Sequence, residues 1–387
     1  MKKSILISAA AIMMVAASYA QGNKPTSGIL TLKGKLSDIK DTLVILGSDY
    51  DDMRGAKITD LLTKNGKFEY KVQLNKPKNL ILYRPSNQQR DAHMFESISI
   101  PAIPGETVEL KGNTTDCQLT GTGFYKQYAN LHNIIKKFYK VVYQEAEKYD
   151  NMIRGSKDKD IKKKAQEMYE TDMKVAQYKM TAELTAYLKA HKDEEASAYI
   201  ASYLEPKDID MVIATLNPNI VNGRLSGIFD AVKVRLEKEK TQEDAEKNVV
   251  AGKMAPDFTL KDIQGKDFLL SSLRGKYVIL DFWGSWCGWC IKGMPEMKKY
   301  YEKYKGKFEI VGVDCQDTEA KWKAAVEKHQ LPWIHVKNES KDLTPERYAV
   351  ASYPTKVIIN PDGTINKTVV GEDPEFYKYL DTLFESK

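Results

Sequence analysis

Two cysteines, Cys287 and Cys290, stand three residues apart in the run Asp281-Phe-Trp-Gly-Ser-Trp-Cys-Gly-Trp-Cys290. Tyr277-Val-Ile-Leu280 before them has the apolar continuity of a buried strand, and Met294, Met297, Tyr300 and Tyr301 after them keep helical spacing. Cysteines at that spacing on a first helical turn share a face and lie within disulfide reach. Cys287 falls where unpaired backbone N–H groups and the helix dipole favour an anion, which lowers its pKa and makes it the attacking thiolate. Cys290 lies deeper and is placed to resolve a mixed disulfide. The chemistry is dithiol–disulfide exchange, with the Cys287–Cys290 pair itself as the redox group and no separate cofactor or metal.

Competing chemistries fit less well. A zinc half-site needs a second pair at ligand spacing, but the other cysteines, Cys117 and Cys315, and the five histidines are scattered. A c-type haem needs histidine directly after the second cysteine, where Ile291 stands. A purely structural disulfide gains little from so short a loop. Cys117 and Cys315 read as buried bystanders. Trp286 and Trp289 flank the pair, either as a platform facing the substrate or as cover for the helix start. The Gly288-Trp289 dipeptide between the cysteines tunes the potential, where about 30 mV corresponds to about 1.4 kcal/mol.

The same stretch carries a resemblance. Asp281-Phe-Trp-x-x-Trp-Cys-Gly-x-Cys, with Pro295 after it, resembles the thioredoxin superfamily. Ala255-Pro-Asp-Phe-Thr-Leu and Leu273-Arg-Gly-Lys-Tyr-Val resemble its membrane-facing TlpA/ResA-like branch of thiol–disulfide oxidoreductases. The likeness covers about residues 250–387. It implies that Asp281 is the interior acid that takes the Cys290 proton. It also implies that Tyr353-Pro354-Thr355 is a cis-proline loop beside the dithiol, able to pair with an extended target segment. Two positions depart from the pattern: Trp289 stands where thioredoxins carry proline, and Gly312 where they carry the lysine accompanying the acid. Peroxiredoxins share the lead-in but place proline seven and threonine or serine three residues before their reactive cysteine. Here those positions are Leu280 and Gly284.

Around these residues the chain divides. Lys2 and Lys3, an apolar core from Ile5 to Ala17 and Ser18-Tyr19-Ala20 form a signal peptide over 1–20, with the mature chain starting near Gln21. That places the protein in the periplasm or cell envelope. Residues 25–120 predict an all-β, sandwich-like domain from short alternating strands, with Asn65-Gly66 as a tight turn. It weakly resembles the β-rich domains ahead of thioredoxin domains in Bacteroidetes envelope proteins. The polar loop Arg84–Met94 reads as solvated. Residues 121–236 predict an α-helical segment, opened by a stripe of Phe124, Tyr128, Leu131, Ile135, Phe138 and Val142 that reads as core. The charged run 237–249 reads as a tether. Residues 250–387 alternate strand and helix signals, as an α/β domain requires. Within them, Asp317 or Thr318 caps a helix, Pro295 kinks the active-site helix, and an inserted strand–helix–strand lies between Asp317 and Ser352.

The net charge of +6, or +4 without Lys2 and Lys3, is mild for 387 residues, and the Lys/Glu runs alternate in sign. That pattern is a solvated face and excludes a nucleic-acid footprint. The partners expected are disulfide-bearing or dithiol envelope proteins and a membrane electron donor. The alternatives are a thiol oxidase or isomerase, or a binding protein with an accessory thioredoxin fold.

Overall fold

The structure, a computed structural model, describes residues 26–50, 55–84, 97–339 and 341–385. The signal segment at 1–20, the start near Gln21 and all of the loop Arg84–Met94 except Arg84 lie outside them. Among the described residues no helix is long and apolar enough to cross a membrane. Two compact units divide between Lys233 and Val234.

The first unit contains two four-stranded sheets. One has the order β4 (Lys67–Leu74), β1 (Gly28–Leu36), β7 (Thr107–Gly112), β8 (Cys117–Gly121); the other β3 (Lys57–Leu62), β2 (Thr42–Ser48), β5 (Lys78–Tyr83), β6 (Ser97–Ala102). Period-two burial of Leu30, Leu32 and Leu36 on β1 gives the sheets their core face. Asn65 and Gly66 both have positive φ, as the tight turn into β4 requires. Two long helices, Gly123–Gly155 and Lys159–Ala190, pack against each other, and the first also packs on β8. Tyr125 donates its hydroxyl to Pro101 O at 2.6 Å, and Tyr199 to Asn79 Oδ1 at 3.1 Å. Phe124, Tyr128, Leu131 and Ile135 are buried, so the first half of the stripe is core, whereas Phe138 and Val142 farther along are only half-buried. The β and helical segments therefore form one unit rather than two. It also holds a covered guanidinium, Arg224, bonded to Glu106 at 2.8 Å and to Glu195 at 2.7 Å.

The run 237–249 is not a loose tether. It is the second half of one helix, Ser226–Asn248, because glutamate and lysine are good helix formers even without an apolar stripe.

The second unit is a seven-stranded sheet, ordered β10 (Asp267–Leu269), β9 (Thr259–Asp262), β13 (Ile334–Asn338), β12 (Phe308–Cys315), β11 (Tyr277–Trp283), β14 (Thr355–Ile359), β15 (Ile365–Val370). β11 and β12 pair parallel, as do β12 and β13, whereas β14 runs antiparallel to β11. One face is covered by helices Gly288–Lys303, Glu319–His329 and Pro374–Glu385 through Met294, Met297, Trp322, Phe376 and Leu380. Phe258, Leu270 and Tyr348 cover the other. The segment between Asp317 and Ser352 is helix, strand and a one-turn helix at Thr344–Arg347, rather than strand–helix–strand. Pro345, which has no N–H for a ladder, opens that turn.

Candidate active site

β11 ends at Trp283, and four residues later the chain enters helix Gly288–Lys303 with Cys287 as its N-cap. Cys287 and Cys290 form a disulfide there. The Cys290 backbone N–H donates to Cys287 Sγ at 3.1 Å, one of the orphan donors of a first helical turn. That bond and the helix dipole favour a thiolate at Cys287. Pro295 lies inside the helix, which continues through it.

The connecting turn is held from below. Asp317 accepts from the Ser285 N–H and the Ser285 hydroxyl, both at 2.6 Å, and Lys337 donates to the Asp317 carbonyl at 2.6 Å. Thr318, not Asp317, caps the next helix. Lys337 also reaches Asp314 at 3.3 Å. Burial first, then its neighbour Asp317, pushes the Asp314 carboxyl up to about 8 against the opposing field of Lys337.

Trp286 and Trp289 are 50% and 61% exposed, so both present aromatic surface to solvent beside a disulfide that is nearly covered. Trp286 is also anchored: its indole N–H donates to Cys315 O at 3.0 Å, and its ring meets Tyr353 edge-on at 5.2 Å. Trp289 carries the Lys292 ammonium 4.7 Å from its ring centroid. Gly288 is exposed, with open space around its Cα. Tyr353–Pro354 is a cis peptide bond. The buried Thr355 side chain donates to Ser352 O at 2.7 Å, so contact with a target there falls to the backbone. Cys117 and Cys315 are buried free thiols whose pKa values burial raises.

Asp281 is buried on the face of β11 that carries Ile279 and Trp283. Burial raises its pKa; Lys356 opposes and Glu372 adds to the rise. The register places Asp281 between Gly312 on β12 and Lys356 on β14. Lys356 Nζ lies 4.0 Å from Asp281 Oδ1 and 2.8 Å from Glu372 Oε2. Sequence reasoning missed Lys356 and Glu372, and offered Asp317 only as a helix cap rather than as the holder of Ser285. A charged residue in the otherwise apolar strand Thr355-Lys-Val-Ile-Ile was the available signal for Lys356.

Comparison with known proteins agrees with this geometry. The AhpC/TSA family profile matches residues 251–368. Thiol-disulfide oxidoreductase ResA of Bacillus cereus is 38% identical over 123 residues, 31% of this chain and 70% of that protein. The chain belongs to the TlpA/ResA-like thiol–disulfide oxidoreductases of the thioredoxin superfamily. ResA of Bacillus subtilis is 34% identical over 125 residues, 32% of this chain and 69% of that protein. A crystal structure of the thioredoxin domain of a thiol-disulfide oxidoreductase from Bacteroides vulgatus covers 35% of this chain and 98% of that one, at 30% identity and a TM-score of 0.33. The peroxiredoxin-like positions remain occupied otherwise. A Cβ at Gly284 would lie 2.9 Å from Cys315 O and overlap the Trp286 indole, so no serine or threonine fits there.

Proposed function

We propose that this chain reduces disulfides of proteins outside the cytoplasm, with apocytochrome c maturation among its possible tasks, using Cys287 and Cys290. The Cys287 thiolate attacks a target disulfide, forming a Cys287–target bond and releasing one target thiolate, which takes a proton from solvent. Cys290 then gives its proton to the Asp281 carboxylate and attacks Cys287 Sγ. The Cys287–Cys290 bond forms, and the second target sulfur leaves and is protonated. The target gains two electrons from the cysteine pair and two protons, one drawn from solvent and one matching the proton that Cys290 releases. A dithiol donor at the membrane restores the reduced form. Trp286, Trp289 and Tyr353 with the Gly288 and Pro354–Thr355 backbone form the surface on which the target lies.

The observation that carries this reading is the disulfide at a helix start, with a Cys290 N–H on Cys287 Sγ. The test equilibrates the protein against glutathione buffers and uses Cys290→Ser to trap partners. A potential near that of thioredoxin, about −270 mV, and mixed disulfides through Cys287 are expected. A potential near that of DsbA, about −120 mV, would assign the opposite direction, thiol oxidation.

A further inference from the structure

We propose that Lys356 and Glu372 are positioning residues that, with Asp281, form a charged triad controlling when Asp281 can accept the Cys290 proton. This deepens the exchange chemistry proposed for Cys287 and Cys290 and rests on it.

The lysine cannot enter from β12. A Cβ at Gly312 would lie 2.9 Å from His335 Nδ1 and 3.1 Å from Trp283 Nε1, so that side of Asp281 is already filled. It enters from the opposite neighbour, β14. Lys356 is 3% exposed, and a buried ammonium needs anionic partners. It has two at unequal distance: Glu372 in direct contact at 2.8 Å and Asp281 beyond contact at 4.0 Å. Asp281 Oδ1 is buried and accepts no hydrogen bond, so the field of Lys356 is its chief support.

Glu372 is built into this site rather than resting on it. Its other oxygen accepts from the Tyr377 hydroxyl at 2.7 Å. The preceding Gly371 has φ 83° and donates its N–H to Pro354 O at 2.7 Å, fastening the turn to the cis-proline loop. The carboxylate lies over Gly293, three residues after Cys290, where a Cβ would overlap it. One cation thus serves two anions, and the nearer holds it. Glu372 raises the Asp281 pKa by its own charge and by committing Lys356; Lys356 lowers it.

The other titratable groups around Asp281 are few. The active-site helix brings Cys287 and Cys290, joined in the disulfide; β12 brings Cys315; the last helix brings Tyr377, on which Glu296 also acts. His335, on β13 beyond Gly312, is pushed by burial to about 4 and is neutral above that.

The test follows the Asp281 carboxyl in the full-length protein, by difference infrared titration against Asp281→Asn, and the acid limb of the exchange rate. Glu372→Gln frees Lys356 and is expected to lower the Asp281 midpoint. Lys356→Met is expected to raise it. Each shift should be about one pH unit, with the acid limb moving alongside. Gly293→Ala, which displaces the carboxylate sterically, should reproduce Glu372→Gln. Glu372→Gln and Lys356→Met shifting in the same direction, or neither shifting, overturns the triad. Because the carboxyl is read directly, that failure is separate from a failure of Cys290→Ser to trap partners.

Discussion

At the residue scale, glycine and aspartate carry the informative constraints. Alanine in place of a mid-helix glycine stabilises by about 1 kcal/mol on propensity alone. Gly293→Ala is expected to do the reverse. The methyl group pushes Glu372 off Lys356 and Tyr377, and losing hydrogen bonds to charged groups costs about 1.5–3 kcal/mol each. Calorimetry showing a raised melting temperature would contradict this. Asp314 supplies a pH signature. Its folded pKa, pushed up to about 8, stands above the ordinary carboxylate value of 3.8, so the folded state binds the proton more tightly. Its contribution to stability is fully present below about 4 and is lost as pH rises toward about 8. Asp314→Asn should therefore flatten the fall in stability across that window, and denaturant melts at pH 5 and pH 8 would show it.

At the element scale, the turn between β11 and the active-site helix depends on the strand beside it. Asp317 holds Ser285 by two hydrogen bonds, and the buried Lys337 holds the Asp317 backbone. Asp317→Ala is expected to reduce stability by about 1–3 kcal/mol and to slow exchange by loosening the approach to Cys287. Unchanged single-turnover rates with the same melt would leave this brace without a role. The cysteines, the acid and the proline loop were legible in the chain because each lies in a short local pattern. Lys356 and Glu372 were not: they are 16 residues apart, and only the β14–β15 pairing and the turn at Gly371 bring them together. Strand β3 likewise leaves little trace in the sequence, because no residue of it is fully buried. The helix through 237–248 was missed because solvated Glu and Lys residues write no apolar stripe.

At the scale of the whole molecule, the first unit is joined across its segments by one buried cation. Arg224 lies just before helix Ser226–Asn248, Glu106 precedes β7, and Glu195 opens the 3₁₀ turn after the second long helix. Arg224→Met would remove the guanidinium from two buried carboxylates, and breaking a buried pair in this way costs about 3–5 kcal/mol. Amide hydrogen exchange in β7 and β8 should accelerate accordingly. The sheets and the aromatic stripe were each readable from periodicity, but their union was not, since it runs through tyrosine hydroxyls and this guanidinium rather than through a hydrophobic period.

The crowding at Gly284 has a historical consequence. A single substitution that placed a hydroxyl three residues before Cys287 would collide with the Trp286 indole and the Cys315 carbonyl before it could offer any benefit. A lineage drifting from this sequence toward peroxide chemistry would have to surrender the tryptophan first, and with it the aromatic surface beside the dithiol.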